Sequence, residues 1–145
     1  MREAICNGAD GVGIFHTENM FFNVSAFQHF QNYLLTNSKE DRSKYLVQVQ
    51  TFLEQDLLRL FRVTRTRHIA IELLDSSLSK FLPSVGNRQY EYEVNELART
   101  DTVACDKTIR SLQLSNPLIG SIGCPVGIIY PEIISMQVES ILGKN

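Results

Sequence analysis

NGADGVGIFHTENMFF, residues 7–22, is the stretch on which the fold turns. Arg2 to Asn7 is helix-like and stops at Gly8, because glycine takes positive φ without a Cβ clash. Ala9-Asp10-Gly11 turns the chain. Val12-Gly13-Ile14-Phe15 is then a short apolar run of the kind that forms a strand buried on both faces. A histidine and a threonine, His16 and Thr17, follow at the strand end, and Met20-Phe21-Phe22 lead back into apolar packing.

Working outward, Ala26 to Leu35 is expected to be a helix. Ser38-Lys39-Glu40-Asp41 resembles a capping box, behind which Leu46, Val49, Leu53, Leu57 and Leu60 recur at spacings of three and four. His68 to Asp75 is β-branched and apolar, and reads as a second buried strand. Ser76 to Val85 is expected as a loop, Gly86 to Thr102 as a polar excursion, and Ala104 to Leu112 as a helix. Asn116 to Gly127 sets glycines and prolines around a brief apolar strand. Tyr130-Pro131-Glu132 opens the last helix, whose core face is expected from Ile134, Val138, Ile141 and Leu142, with Gly143 at its end. Strands separated by helical crossovers must run parallel, so the class is α/β.

Composition bounds the function. At 145 residues with 43% apolar side chains the chain suits a single domain, residues 1–145, with a real core. Fourteen basic against sixteen acidic residues leave a formal net charge of -2, so no whole-molecule attraction draws it to nucleic acid or to an anionic membrane. No apolar run approaches the roughly 20 residues of a membrane-spanning helix, and the first residues lack a secretory pattern, so a cytoplasmic location is expected. Cys6, Cys105 and Cys124 form no C-x-x-C pair and read as reduced, mostly buried thiols. On that reading the sequon Asn23-Val24-Ser25 goes unused.

Three blocks carry a resemblance. Asn7 to Phe22 resembles the "GA-GVGL-RTE-MFF" block of the phosphoenolpyruvate-utilising enzymes. Ile71 to Pro83 is similar to their "IRLLDPPLHEFLP", and Asn116 to Gly127 with Tyr130-Pro131-Glu132 and Met136-Gln137 to "NPMLGFRGCRLG", "YPE" and "MQ". Met20-Phe21-Phe22 and Phe81-Leu82-Pro83 point within that family to its pyruvate, phosphate dikinase branch. The resemblance implies part of a (β/α)8 TIM barrel with ligands at the C-terminal strand ends, of which about three parallel strands are recognisable here with flanking helices. It also implies phosphoryl transfer interconverting pyruvate, ATP and phosphate with phosphoenolpyruvate, AMP and diphosphate. The Mg²⁺ of the family has its ligands outside this segment, so no cofactor is expected in this chain.

The departures bear on activity. Arginine grips phosphate because its planar fork is cationic and makes paired hydrogen bonds. The family's substrate-binding arginine positions correspond here to His16, Glu72 and Ile122, and the arginine beyond the cysteine to Pro125. Glu72 would repel phosphate, Ile122 offers it nothing, and histidine is a weaker cation than arginine. Thr17, Glu18, Asp75, Asn116 and Gly123 are retained family positions, each able equally to serve a turn or cap. The pocket is therefore expected to have kept its packing residues, Ile14, Met20, Phe21 and Phe22, and lost its cations, with His16 left without partners.

Other readings are weaker. His16, His29 and His68 lack zinc-ligand spacing, so no metal site is expected. Gly11-Val12-Gly13 fails as a dinucleotide loop because His16 occupies the third glycine position. Arg59, Arg62, Arg65, Arg67 and His68 form the one basic stretch, ordinarily a solvated helix end. The expected reading is a truncated, catalytically degenerate relative with no catalytic residue of its own and weak pyruvate or phosphoenolpyruvate binding at most. Alternatives are a subunit of a split enzyme completed by another polypeptide, and a non-catalytic binding or scaffold protein. Self-association is expected in every case, because an open parallel sheet leaves bare edges.

Overall fold

Gly11–His16 forms β1 and His68–Glu72 forms β2 in the computed structural model, which describes residues 2–36, 38–82 and 124–143. The two strands pair in parallel, as the crossover argument requires, into a two-stranded sheet. The expected third strand and the helix over Ala104 to Leu112 lie outside the described residues.

Helix α1, Arg2–Cys6, is closed as expected: Gly8 sits at φ +94, which lets its N–H reach the Ile5 carbonyl at 3.1 Å while the Ala9 N–H reaches that of Ala4 at 3.0 Å. Gly11 has a different requirement. A Cβ there would lie 2.6 Å from the His68 carbonyl oxygen, so the close approach of β1 to β2 needs a residue without a side chain.

Neither strand is buried on both faces, and this corrects the sequence reading. In β2 the exposed His68, Ala70 and Glu72 alternate with half-buried Ile69 and Ile71, the pattern of a sheet covered on one face. In β1 the register slips between Val12 and Phe15, inserting one extra residue opposite β2. The slip leaves Ile14 63% exposed, while Phe15 packs against the core.

Helix α2, Glu18–Phe21, is a single turn that the sequence pattern did not announce. Helix α3, Val24–Leu35, begins where the Asn23 side chain accepts the Ser25 N–H at 3.3 Å, so the sequon asparagine serves as a helix cap. Helix α4, Lys39–Thr64, is capped by the Ser38 hydroxyl, which accepts the Asp41 N–H at 3.4 Å. Its Val49, Leu53, Leu57 and Leu60 are buried, as their spacing predicts.

The expected loop after β2 instead contains a 3-10 helix, Leu78–Phe81, because Leu78 and Phe81 are fully buried and need a compact turn to reach the core. Phe81 meets Phe30 and Phe21 edge-on, with ring centroids 4.9 and 6.1 Å apart. Phe21 is buried, but Phe22 stacks on Phe81 from outside and is 46% exposed.

Helix α5, Cys124–Ile129, and helix α6, Pro131–Leu142, meet at Tyr130. The buried face of α6 is Ile133, Met136, Gln137 and Ser140, turned about one residue from the expected face, so that Val138 and Leu142 are exposed. The cause is Gln137, whose amide bonds beneath the strand ends and draws its side of the helix inward. Cys6 and Cys124 are exposed rather than buried, since α1 buries no residue and Cys124 opens α5.

Candidate functional site

Parallel pairing in register places His16 opposite Glu72 at the C-terminal edge of the sheet. There His16 Nδ1 contacts the Glu72 carboxylate in ion-pair geometry, with both side chains about half exposed. Two of the positions at which the resemblance expects arginine thus face each other and are in contact. Sequence spacing hides this, because 56 residues separate positions that the crossover makes neighbours.

Thr17 points the other way. It is fully buried, donates its hydroxyl to Gln137 Oε1 at 2.7 Å, and receives no part of the cleft. The same Gln137 oxygen accepts the Leu74 N–H at 2.9 Å, and the Gln137 amide nitrogen donates to the Ile133 carbonyl at 3.2 Å. One side chain of α6 thus ties down the residue after β1 and the backbone after β2. The Thr17 N–H bonds the Glu72 carbonyl at 3.0 Å, which locks the two strand ends together.

A cleft of about 610 Å³ opens over this edge, lined by the charged or ionisable His16, Glu18, Glu72, Asp75 and Lys80 and by the hydroxyls of Ser76, Ser77 and Ser79. The buried Ser76 hydroxyl donates to the Glu18 carboxylate in a short contact and accepts from Lys80 Nζ at 3.0 Å. Ser77 caps the 3-10 helix by accepting the Ser79 N–H at 3.3 Å. That turn carries Lys80 back over Ser76, so the expectation of a mouth without cations is corrected: one ammonium stands there. It stands among three carboxylates, Glu18, Glu72 and Asp75, so the lining still favours a cation over a doubly charged phosphate ester.

Ser76, Lys80 and Gln137 are the residues that sequence reasoning passed over. The available signals were the four-residue spacing of Ser76 and Lys80 in a serine-rich turn and a glutamine on an otherwise apolar helix face. Asn116, Ile122 and Gly123 lie outside the described residues, so the structure does not join them to this cleft. Among the described residues no three His, Cys, Asp or Glu side chains come together as metal ligands, and no helix is long and apolar enough to cross a membrane.

Comparison with known proteins adds the lineage. The family described as "PEP-utilising enzyme, PEP-binding domain" matches residues 1–144. The pyruvate, phosphate dikinase of Treponema pallidum is 31% identical over 147 residues, covering 95% of this chain and 16% of that protein. The chloroplastic enzyme of Flaveria trinervia is 34% identical over 139 residues, covering 93% of this chain and 14% of its own. That of Entamoeba histolytica is 31% identical over 146 residues, covering 97% and 16%. The chain thus spans about a sixth of the length of the curated relatives it matches.

Proposed function

The chain belongs to the PEP-utilising enzyme family through its PEP-binding domain, and we propose that it is a catalytically degenerate portion of a pyruvate, phosphate dikinase-like (β/α)8 barrel. By this reading it does not, acting alone, interconvert pyruvate, ATP and phosphate with phosphoenolpyruvate, AMP and diphosphate. The observation that carries the reading is the His16–Glu72 contact across the two strand ends.

Phosphoryl transfer needs positive charge fixed where oxygens become more negative. At this edge His16 and Glu72, the positions at which the resemblance leads us to expect arginines, turn toward each other. Lys80 supplies one charge, held on Ser76 and offset by its acidic neighbours. A monocarboxylate the size of pyruvate needs fewer cations than a phosphate ester, so weak pyruvate binding at Lys80 is compatible with the same geometry.

A coupled assay for phosphoenolpyruvate formation, with this chain, Mg²⁺ and all substrates, is expected to give no turnover. Turnover that vanishes in Glu18→Ala or Asp75→Ala would overturn the reading. In the double variant H16R/E72R phosphoenolpyruvate affinity should rise at least about tenfold, the gain expected from a charge-assisted hydrogen bond.

A second reading, a subunit completed by another polypeptide that supplies further barrel strands, draws on the sheet itself. Ile14 projects from the uncovered strand face at 63% exposure, and β1 and β2 pair only with each other among the described residues. Purification from the native cell as a monomer free of any barrel-completing chain would count against it.

A further inference from the structure

At the opposite end of the sheet a cleft of about 720 Å³ opens between α1, the last turns of α4 and the residues leading into β2. Arg2, Arg59, Arg62, Arg65 and Arg67 line it together with the apolar Ile5 and Val63, and among the described residues no carboxylate is part of the lining. Arg59 pairs with Asp56 at 3.0 Å, on exposed positions. The other four make no ion pair among the described residues.

A solvated helix end accounts for Arg59 and Arg62, since cations suit the carbonyl end of a helix. It does not account for Arg2, which arrives from α1, or for Arg67, which precedes β2. Arg65 closes α4, its N–H donating to the Phe61 carbonyl at 2.8 Å, but the helix end alone does not call for an arginine there. This residue holds φ +53 and is the one non-glycine at positive φ among the described residues, a conformation that glycine takes more readily. Five guanidinium groups in one concavity repel one another, and the chain's net charge of -2 shows that the concentration is not a matter of composition.

We propose that this cleft binds a compact oligoanion bearing two or more phosphoryl groups. Guanidinium forks match phosphate oxygens two at a time, and several of them facing one space match a ligand with several charges close together. The volume falls within the range of small-ligand pockets, roughly 300–1,000 Å³. Convergence from three segments on a hollow suits a small ligand better than a nucleic-acid backbone, which would be followed by a stripe. Among the described residues the cleft shares no lining residue with the strand-end pocket, so the inference stands whether or not the proposed function does.

The test is calorimetric titration of the full chain with inorganic tripolyphosphate at low and moderate salt. Saturable one-to-one binding is expected, weakened at least about tenfold in Arg62→Ala. Arg65→Gly should weaken binding similarly while raising the thermal midpoint, because it removes a ligand charge and relieves the backbone at once. A merely structural arginine would not give that opposite pair of effects. Tripolyphosphate should also slow alkylation of the exposed Cys6, which lines the same cleft. The inference fails if titration shows no saturable binding or if both variants bind like the parent. It also fails if a single-stranded oligonucleotide binds more tightly, with a steep salt dependence, and tripolyphosphate does not displace it.

Discussion

At the C-terminal edge of the β1–β2 pair the polar side chains engage one another: His16 meets Glu72, and Lys80 and Glu18 share the Ser76 hydroxyl. At the N-terminal edge five arginines gather round one hollow, and among the described residues only Arg59 has an acidic partner. Strands of five or six residues separate the two edges, roughly 15 Å at about 3.3 Å per residue, which exceeds the screening length of about 10 Å at 0.1 M salt. The edges are therefore electrostatically independent. A net charge of -2 averages over two sites of contrasting character and describes neither.

The contrast extends to how each edge is held. Gln137 is the fastening of the C-terminal edge, so its loss should give the largest effect. In Gln137→Leu the buried Thr17 hydroxyl and Leu74 N–H lose their partner together. A destabilisation of about 2–4 kcal/mol is expected in urea unfolding. Adding Thr17→Val removes one of the orphaned groups and should recover part of that loss. A simple sum of the two single effects would show that the glutamine is not the hub the geometry makes it.

The N-terminal edge depends on backbone proximity instead. Gly11→Ala forces a methyl group to within 2.6 Å of the His68 carbonyl, which the strands relieve only by moving apart. A cost of about 1–3 kcal/mol is expected, as for other overpacked sites. Tripolyphosphate affinity should fall as well, because Arg67 sits next to the displaced strand end. An unchanged affinity would separate the cleft from the sheet and weaken the comparison.

How much of this was legible beforehand follows from what sequence can encode. Local signals transferred well: Gly8 past a helix end, the Ser38 cap and the leucine spacing of α4 are each set within a few residues. The family resemblance was legible too, because three blocks kept their order, and residues 1–144 match the family. The orientation of faces was not. Ile14 is exposed through a one-residue slip in β1, and α6 is turned by a glutamine bonded to Thr17, 120 residues away. The candidate site failed in the same way: His16 and Glu72 were identified singly, but their contact depends on strand register. Lys80 was overlooked because its reach toward Ser76 needs a turn that polar residues alone do not announce.

The smallest expected effect concerns pH. Helix α6 is tied to α3 through Glu132 as it is to the strand ends through Gln137, since Glu132 Oε1 accepts the Tyr33 hydroxyl at 2.5 Å. Burial, and then this hydrogen bond to a carboxylate, push the Tyr33 phenol well above its ordinary value of 10.0. The folded protein thus keeps the proton where the unfolded chain releases it. The phenol's contribution is fully present below pH 10.0 and declines as pH rises above that value, toward the raised folded-state value. The urea midpoint should hold steady between pH 7 and about 9, then fall as the pH passes about 10. Tyr33→Phe should cost about 1 kcal/mol at neutral pH through the lost hydrogen bond and flatten the alkaline fall. If the variant keeps the full alkaline slope, ionisation elsewhere loosens the fold, and the hold of α6 rests on Gln137 at the strand ends rather than on Glu132 at α3.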